Sequence, residues 1–266
     1  MARDPLTKEV LALTNVITKV APLLVHTDEE LAQSVLMILE LMAAKGSRNF
    51  ITQQLVKADP MVDLLWVVGS ENRGWDTRVI ALRCIIALLN LSPFFGECFI
   101  RCKNATNVIN LLCHQAKFLT TYSKTLLVQV LSVLAKSKRN YEFLIRNKAV
   151  KALLYSFKCF DSFESQLYAH SVGLLAYMMK DRRAVIQFSN VKNSWNLLAN
   201  KFMERKFISA DILMNLMFLV TDLTDNFELG AKAFMNNGLL RWMIDLVEIY
   251  PEMSGSIRNA IDSIIR

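Results

Sequence analysis

The sequence predicts an all-α protein in which short helical units recur along the chain, and three observations lead to this prediction. Apolar residues recur with a period of 3.6 residues over long segments, such as residues 31–42 and 79–91, and no stretch alternates in the manner of a strand. The 266 residues include only 8 glycines and 5 prolines, too few for the frequent turns of an all-β chain. Hydrophobic residues make up 53% of the chain, as expected where stacked units share one continuous core.

The predicted helices have recognisable start signals. Asp4 before Pro5 fits an N-cap followed by proline at the first helical position. Residues 27–30, with the sequence Thr-Asp-Glu-Glu, fit a capping box, in which the first and fourth side chains bond free backbone N–H groups. Asp161 and Glu164 repeat this spacing. Each signal predicts the beginning of a helix.

Two sequence markers define the repeating unit. The first is a pair of adjacent apolar residues that recurs six times and begins at Leu23, Leu64, Leu111, Leu153, Leu197 and Met243, at intervals of 41 to 47 residues. The second is a polar turn whose central residues Asn140, Arg183 and Asn226 lie 43 residues apart, with Asn49 another 91 residues upstream. Two markers that share one period are hard to obtain by chance, so we interpret the chain as a series of repeats.

These repeats resemble those of the armadillo/HEAT superfamily of α-solenoids, and armadillo repeats are the better match. Residues 140–154 resemble the family's entry into a repeat, where a polar turn leads into a short first helix and a second helix ending in Leu-Leu. Residues 226–247 look like another entry, with Gly238 where the family often has glycine, and residues 87–91 resemble the end of a third helix. The resemblance implies a right-handed α-solenoid of five to six repeats. Their approximate ranges are 4–46, 47–94, 95–138, 139–181, 182–224 and 225–266.

The chain also departs from the family pattern. Most inter-helix glycines are missing, and the third helices lack the Trp-x-x-x-Asn ladder that nuclear-import members use to bind extended basic peptides. Trp66, Trp195 and Trp242 fall in second helices instead, where we expect them to pack in the core. An importin-like function is therefore disfavoured.

The two ends of the chain differ in polarity. The first helix pair has a charged side and can serve as a cap. The last segment carries Ile257, Ile261, Ile264 and Ile265 at helical spacing, with few charges nearby. Either the chain is a piece of a longer solenoid or docks through this apolar helix, or the isoleucines pack inward on the preceding repeat.

The five cysteines suggest reduced thiols. An odd number without a signal segment indicates the cytoplasm or nucleus. Cys98, Cys102, Cys113 and His114 have a spacing that could supply four zinc ligands. Their apolar neighbours favour the alternative that they are core residues, so we predict no metal and no cofactor.

No motif predicts catalysis or membrane insertion. The chain has no Gly-rich phosphate loop, no Gly-x-Ser-x-Gly turn and no His-Glu-x-x-His. None of its three histidines has an Asp or Glu at a spacing suited to acid–base chemistry. The longest apolar runs are far shorter than the ~18 residues of a membrane span. We predict that the protein is not an enzyme.

Positive charge is concentrated in the middle of the chain. Residues 136–206 hold 14 basic and 5 acidic side chains, a net of +9, whereas the residues before and after carry net charges of +2 and −4. Stacking in register would align the basic turns along one edge, which would attract acidic segments or phosphates. The alternative is a solvated rim. The predicted basic edge consists of Lys136, Lys138, Arg139, Lys180, Arg182, Arg183, Lys201, Arg205 and Lys206.

The third helices are expected to form a groove with a mixed polar and apolar lining. Its predicted residues are Arg83, Asn90, Lys124, Tyr168, Tyr177 and Asn215. Such a lining suits an amphipathic helix or an extended segment of a partner protein. We therefore predict a non-catalytic scaffold or adaptor for protein–protein interaction. Armadillo-like proteins serve adhesion, transport, signalling and cytoskeletal or centriole assembly, and the resemblance does not choose among these roles.

The alternative function is phosphate-directed binding of nucleic acid or acidic lipid by the basic edge. Aromatic residues that could stack on bases lie nearby, among them Tyr141 and Tyr155, although each could equally face the core. No base-reading motif is present. A protein partner with an acidic or amphipathic segment is the favoured prediction.

Overall fold

The structure is a computed structural model that describes residues 15–44, 49–114, 118–157, 165–203, 209–226 and 228–266. Within these ranges it has seventeen α-helices, three short 3-10 helices and no β-strand. The α-helices up to residue 135 are α1 (Val16–Val20), α2 (Glu29–Ala43), α3 (Asn49–Ala58), α4 (Met61–Gly69), α5 (Trp75–Leu91), α6 (Pro93–Arg101), α7 (Thr106–His114) and α8 (Thr121–Ala135). Those that follow are α9 (Lys138–Arg146), α10 (Ala149–Phe157), α11 (Ser165–Met179), α12 (Arg182–Ser189), α13 (Ser194–Met203), α14 (Ala210–Asn226), α15 (Glu228–Asn236), α16 (Leu239–Ile249) and α17 (Ser254–Ile265). The 3-10 helices are Ala21–Val25, Lys103–Ala105 and Pro251–Met253.

From α3 onward the helices come in groups of three, in the order that the armadillo resemblance implies. Each group has two short helices followed by a longer third helix, as in α3, α4 and α5. The third helices after α2 are α5, α8, α11, α14 and α17. The all-α prediction is thus confirmed, while the individual repeat boundaries stay a prediction.

The chain divides into two compact units. The first unit comprises residues 1–111 and 129–147, and the second comprises residues 112–128 and 148–266. Within the first unit, α5 packs against α2 and α4, and α9 packs against α6. Within the second unit, α14 packs against α11 and α17, and α13 packs against α10 and α16. Equivalent helices of successive groups therefore lie side by side within each unit.

The recurring apolar pairs supply much of the core. Leu64 and Leu65 in the first unit are fully buried, as are Leu153 and Leu154 in the second. Each such leucine contributes about 1.5–3 kcal/mol through the removal of its side chain from water. In the last pair only Met243 is buried, and Ile244 beside it is exposed.

Trp195 and Trp66, two of the three tryptophans expected in the core, have different surroundings in the structure. Trp195 packs edge-on against the rings of Phe188 and Phe234, with centroid distances of 4.7 and 5.3 Å. The expectation is wrong for Trp66, which is exposed on α4. The guanidinium of Arg73 lies 5.7 Å from the centre of its ring, so a cation rather than the core covers this indole.

The start signal at residues 27–30 marks a helix but not a capping box. Asp28 is the N-cap of α2, and its Oδ1 accepts a hydrogen bond from the backbone N–H of Leu31 at 3.1 Å. The carboxylate of Glu29 forms hydrogen bonds with the start of α5. It accepts from the Thr77 hydroxyl at 2.5 Å and from the Gly74 backbone N–H at 2.9 Å. The predicted helix start at Pro5 and the signal at residues 161–164 lie outside the described residues.

The C-terminal isoleucines pack mainly inward. Ile257 and Ile264 are fully buried and Ile261 is half-buried, whereas Ile265 is exposed. Burial on the preceding helices therefore accounts for most of this apolar face. None of the helices in the described ranges combines the length and the apolarity that crossing a bilayer requires.

Candidate functional site

One face of α5 is open to solvent beside α2. Its exposed side chains are Asp76, Arg83 and Asn90, and their spacing of seven residues places them on one side of the helix. The half-buried Ile80 and Ala87 lie between them on the same side. Arg83 reaches across to α2, where its Nη2 lies 2.6 Å from Oε1 of Glu40 and its Nε donates to the same oxygen at 2.8 Å. The predicted groove residues Arg83 and Asn90 are therefore both accessible, seven residues apart on one face.

A cleft of about 410 Å³ lies between α2 and α5, and we call it the α2–α5 cleft. Its lining consists of Met37, Glu40, Leu41, Ala44, Ile80, Arg83 and Ala87. Met37 is 51% exposed, so a large apolar side chain stands at its edge. The cleft therefore offers an apolar floor next to one ion pair. The residues that α2 contributes are absent from the predicted site, although Met37, Leu41 and Ala44 recur at helical spacing in the sequence.

A second cleft, of about 320 Å³, lies where α5 and α8 end and α6 and α9 begin. We call it the α6–α9 cleft. Its lining consists of Leu89, Asn90, Pro93, Gly96, Val133, Leu134, Lys136, Ser137 and Asn140. It brings together Asn90 of the predicted groove and Lys136 of the predicted edge. Asn140, the centre of the second sequence marker, is buried here with 5% of its surface exposed.

The basic turn of the first unit is exposed. Lys136, Lys138 and Arg139 all face solvent. Arg139 Nη1 lies 3.0 Å from Oε2 of Glu97, an oxygen that also pairs with Arg101. Lys136 and Lys138 form no ion pair with any carboxylate in the described part of the chain. Two lysine charges of this turn are therefore available to a partner.

The basic turn of the second unit is partly neutralised. Lys180 and Arg182 are exposed. Arg183 Nη2 lies 2.7 Å from Oδ2 of Asp181, and the other oxygen of this carboxylate caps α12 by accepting from the Arg183 backbone N–H. Lys201 is half-buried in α13. The predicted edge residues Arg205 and Lys206 lie outside the described residues, and the alignment of the two basic turns stays a prediction.

The third-helix face of the second unit carries exposed aromatic side chains. Tyr177 on α11 and Phe218 on α14 are 49% and 51% exposed. Asn215 lies against Gly173 of the neighbouring third helix, where an added Cβ would be 3.5 Å from the Asn215 Nδ2. His170 is half-buried on the same helix as Tyr177, and burial lowers the pKa of its imidazole. This imidazole is therefore neutral at pH 7.

Two predicted groove residues are not accessible. Tyr168 is 1% exposed and packs edge-on against Phe157 with a centroid distance of 6.0 Å. It is nine residues from Tyr177, about 2.5 helical turns, so the two tyrosines point to opposite sides of α11. Lys124 is likewise buried, between the buried Ser123 and Thr125 of α8. The prediction that Tyr168 and Lys124 line the groove is wrong.

The four thiols in the described ranges have raised pKa values. Burial, aided by the nearby Asp59 carboxylate, raises the pKa of Cys98 to about 11. Burial also raises the pKa values of Cys84, Cys102 and Cys113. Protonated thiols are poor nucleophiles and poor metal ligands. Across the described ranges, no three His, Cys, Asp or Glu side chains are grouped so that they could hold a metal ion.

Comparison with known sequences gives no match. No protein-family model matches the chain, and no curated protein matches it either.

Solved structures resemble the fold closely despite low sequence identity. Computationally designed armadillo repeat proteins for modular peptide recognition have 14% identity and a TM-score of 0.74, over 93% of this chain and 99% of theirs. A designed armadillo repeat protein in complex with the peptide (KR)4 has 14% identity and a TM-score of 0.72, with the same coverage. An engineered protein has 13% identity and a TM-score of 0.72, over 94% of this chain and 96% of its own. The chain therefore has an all-α, armadillo-like helical repeat fold.

Proposed function

We propose that this protein is a non-catalytic scaffold that binds a segment of a partner protein on its third-helix face. The observation that carries the proposal is the α2–α5 cleft, where the exposed Met37 and half-buried aliphatic side chains lie beside the Arg83–Glu40 ion pair. Its volume falls within the ~300–1,000 Å³ of typical ligand pockets. An apolar side chain of the partner segment can bind to the apolar floor of this cleft, and the polar backbone on either side of it can contact the ion pair.

The charge distribution supports an acidic or amphipathic partner. Residues 136–206 carry a net charge of +9, and Lys136 and Lys138 are exposed without ion-pair partners among the described residues. One structural neighbour holds the basic peptide (KR)4, which supports a peptide as the class of ligand. The basic turns of this chain favour the opposite charge in its own partner, because unlike charges accelerate encounter.

A binding role also fits the chemistry of the titratable groups. Burial raises the pKa of the Cys98 thiol to about 11, so this thiol is a poor nucleophile at neutral pH. The proposed function therefore assigns no catalytic residue.

The experiment is affinity capture from cell extract with wild-type protein and with Met37→Glu, which places a charge at the edge of the α2–α5 cleft. We expect Met37→Glu to reduce capture of a discrete partner at least tenfold, because a buried unpaired carboxylate opposes docking. The matched control is Val62→Glu, a substitution of a side chain that is 52% exposed on α4 of the same unit. Equal loss of the partner with both variants, or with neither, would contradict the proposal.

Phosphate-directed binding is the second candidate, favoured by the unpaired Lys136 and Lys138. Each captured sample is therefore divided into a nuclease-treated half and an untreated half, and both halves are eluted with stepped salt. A protein partner survives nuclease. If recovery instead depends on nucleic acid and falls steeply with the logarithm of salt concentration, counterion release drives binding and the scaffold proposal is wrong.

A further inference from the structure

The second residue of the recurring apolar pair is exposed in the last of the six pairs. There it is Ile244 on α16, which is 52% exposed. The equivalent residue of each earlier pair is at most 1% exposed. These buried equivalents are Leu24, Leu65, Leu112, Leu154 and Leu198. One side of α16 is therefore open at a position that is covered in the five earlier pairs.

The preceding helical group shows that this side of the helix is a packing surface. Leu198 and Ile244 are 46 residues apart. The same offset places Trp195 of α13 at the position of Arg241. The ring of Trp195 packs against Phe234 of the next group with a centroid distance of 5.3 Å, and α13 also packs against α16. In α13 this side of the helix therefore forms the interface with the group that follows.

The same side of α16 is charged. Residues at positions i, i+3, i+4 and i+7 lie on one face of a helix. On α16 we call these exposed residues the α16 stripe, and they are Arg241, Ile244, Asp245 and Glu248. All four aligned positions of α13 are apolar. The three charged side chains of the stripe form no ion pair in the described part of the chain. An apolar surface packed on the stripe would bury these charges without partners, so a complementary surface has to supply opposite charges.

The charges of the α16 stripe are complementary to a second copy of the same stripe. Arg241 lies three residues before Ile244 and Glu248 lies four residues after it, about 4.5 and 6 Å along the helix axis. With about 100° of rotation per residue, both side chains lie on the same flank of Ile244. Two antiparallel copies of α16 that cross at Ile244 on a two-fold axis therefore place each Arg241 beside Glu248 of the other copy. In a parallel pair, like charges would meet instead.

We propose that the α16 stripe is a self-association surface through which two copies of this chain form an antiparallel, two-fold dimer. Ile244 packs against Ile244 of the second copy at the centre, and the two Arg241–Glu248 pairs fix the register. The helix has eleven residues and is about 16 Å long, which is small for the ~800 Å² that each partner buries in a standard interface. We therefore expect a weak dimer with a dissociation constant in the micromolar range.

The test is sedimentation equilibrium of the full chain over a series of concentrations from nanomolar to high micromolar. The wild type is expected to change from monomer to dimer and no further, because a two-fold contact closes on itself. Ile244→Asp and Arg241→Glu are each expected to weaken dimerisation at least tenfold, since each brings like charges or an unpaired charge into the contact. The matched control is Lys192→Glu, which makes the same change of charge at another exposed residue of the second unit and is expected to dimerise like the wild type.

An exchange of charges tests the antiparallel register. Glu248→Arg alone is also expected to weaken dimerisation at least tenfold, because two arginines then meet at each end of the contact. An equimolar mixture of the Arg241→Glu and Glu248→Arg variants is expected to recover the wild-type affinity as a mixed dimer. In that dimer both glutamates of one copy face both arginines of the other. Rescue of this kind requires that the partner of the stripe is a second copy.

The possible results separate this proposal from its alternatives. The substituted residues are all exposed, and circular dichroism of each variant checks that the fold is kept. A wild-type chain that stays monomeric at every concentration, a dimer that the single variants leave intact, or a mixture without rescue would overturn the proposal. Capture of a different protein that is lost with Ile244→Asp, while the wild type stays monomeric, would likewise show that the second copy is the wrong occupant.

The dimer and the proposed function fail in different experiments. The α16 stripe belongs to the second unit and the α2–α5 cleft to the first. Met37→Glu is therefore expected to reduce partner capture and to leave the sedimentation of the dimer unchanged. Loss of the dimer by Met37→Glu would show that α16 is not the self-association surface.

Discussion

The third-helix faces of the two units differ in chemistry although both arise from the same kind of repeat. In the first unit, α2 and α5 are joined by the charged contact between Arg83 and Glu40, next to an aliphatic cleft. In the second unit, α11 and α14 meet through Gly173 and the neutral Asn215, with exposed aromatic rings on both helices. The repeat fixes where helices lie, and the residues at its open positions decide what each face can bind.

The largest expected effect separates the buried and the open side of one helix in the second unit. Tyr168→Ala is expected to lower the free energy of unfolding by about 3–5 kcal/mol, because it empties a site packed against Phe157. Tyr177→Ala removes the same type of side chain from the exposed face of α11 and is expected to change stability by less than about 0.5 kcal/mol. Chemical denaturation measures the free energy of unfolding of both variants. Equal effects would mean that Tyr177 also belongs to the core.

These two tyrosines show how far the sequence alone predicts the site. Their helix follows from the apolar period, but the side of a helix that faces a groove depends on its rotation about its own axis. In α11 ten of the fifteen positions are apolar and they occur on every side of the helix, so the sequence pattern does not reveal that rotation. Tyr168 was therefore assigned to the wrong face, whereas Arg83 and Asn90 on α5 were assigned to the exposed one.

The repeating order of helices was predictable because its signals are local. The apolar pairs and polar turns recur within single helices and turns, and the structure has the resulting groups of two short helices and one long helix. Trp66 shows the limit, because it is exposed and lies against the Arg73 guanidinium, an arrangement that the apolar pattern does not reveal. Asn140 was recognised as a repeat marker, but its amide lies against Gly96 of the preceding group, and this contact in space is not visible in the sequence.

An intermediate effect is expected from two carboxyl groups, one in each unit, whose contributions to folding stability depend on pH in opposite directions. Hydrogen bonds from Thr77 and Gly74 to the Glu29 carboxylate hold its pKa below the ordinary value of 4.5. The folded state therefore favours ionised Glu29, so its stabilisation is complete above pH 4.5 and is lost as pH falls through the lowered pKa. In the second unit, burial raises the pKa of Asp222 above 3.8, so its ionised form is disfavoured and stability is lost as pH rises through the raised pKa.

Thermal unfolding between pH 3 and pH 7 checks this contrast. Glu29→Gln is expected to destabilise the protein at pH 7 and to have less effect as Glu29 becomes protonated in acid. Asp222→Asn is expected to stabilise the protein at pH 7, with a gain that shrinks as pH falls. If both variants shift the midpoint of thermal unfolding in the same direction at pH 7, the direction of the pKa shift given for one of the two carboxyl groups is wrong.

The smallest expected effect concerns the ion pair that distinguishes the first unit. Arg83 and Glu40 are both partly exposed, so a double-mutant cycle of Arg83→Gln and Glu40→Gln is expected to give a coupling of only about 0.5–1 kcal/mol. The coupling should decrease at 1 M salt, where the Debye length is about 3 Å. The same cycle measured on affinity for the captured partner tests a different role, since the pair lies in the α2–α5 cleft. If the two substitutions are coupled in their effect on stability but not in their effect on partner affinity, the ion pair only joins α2 to α5. The partner would then contact the apolar floor of the cleft alone.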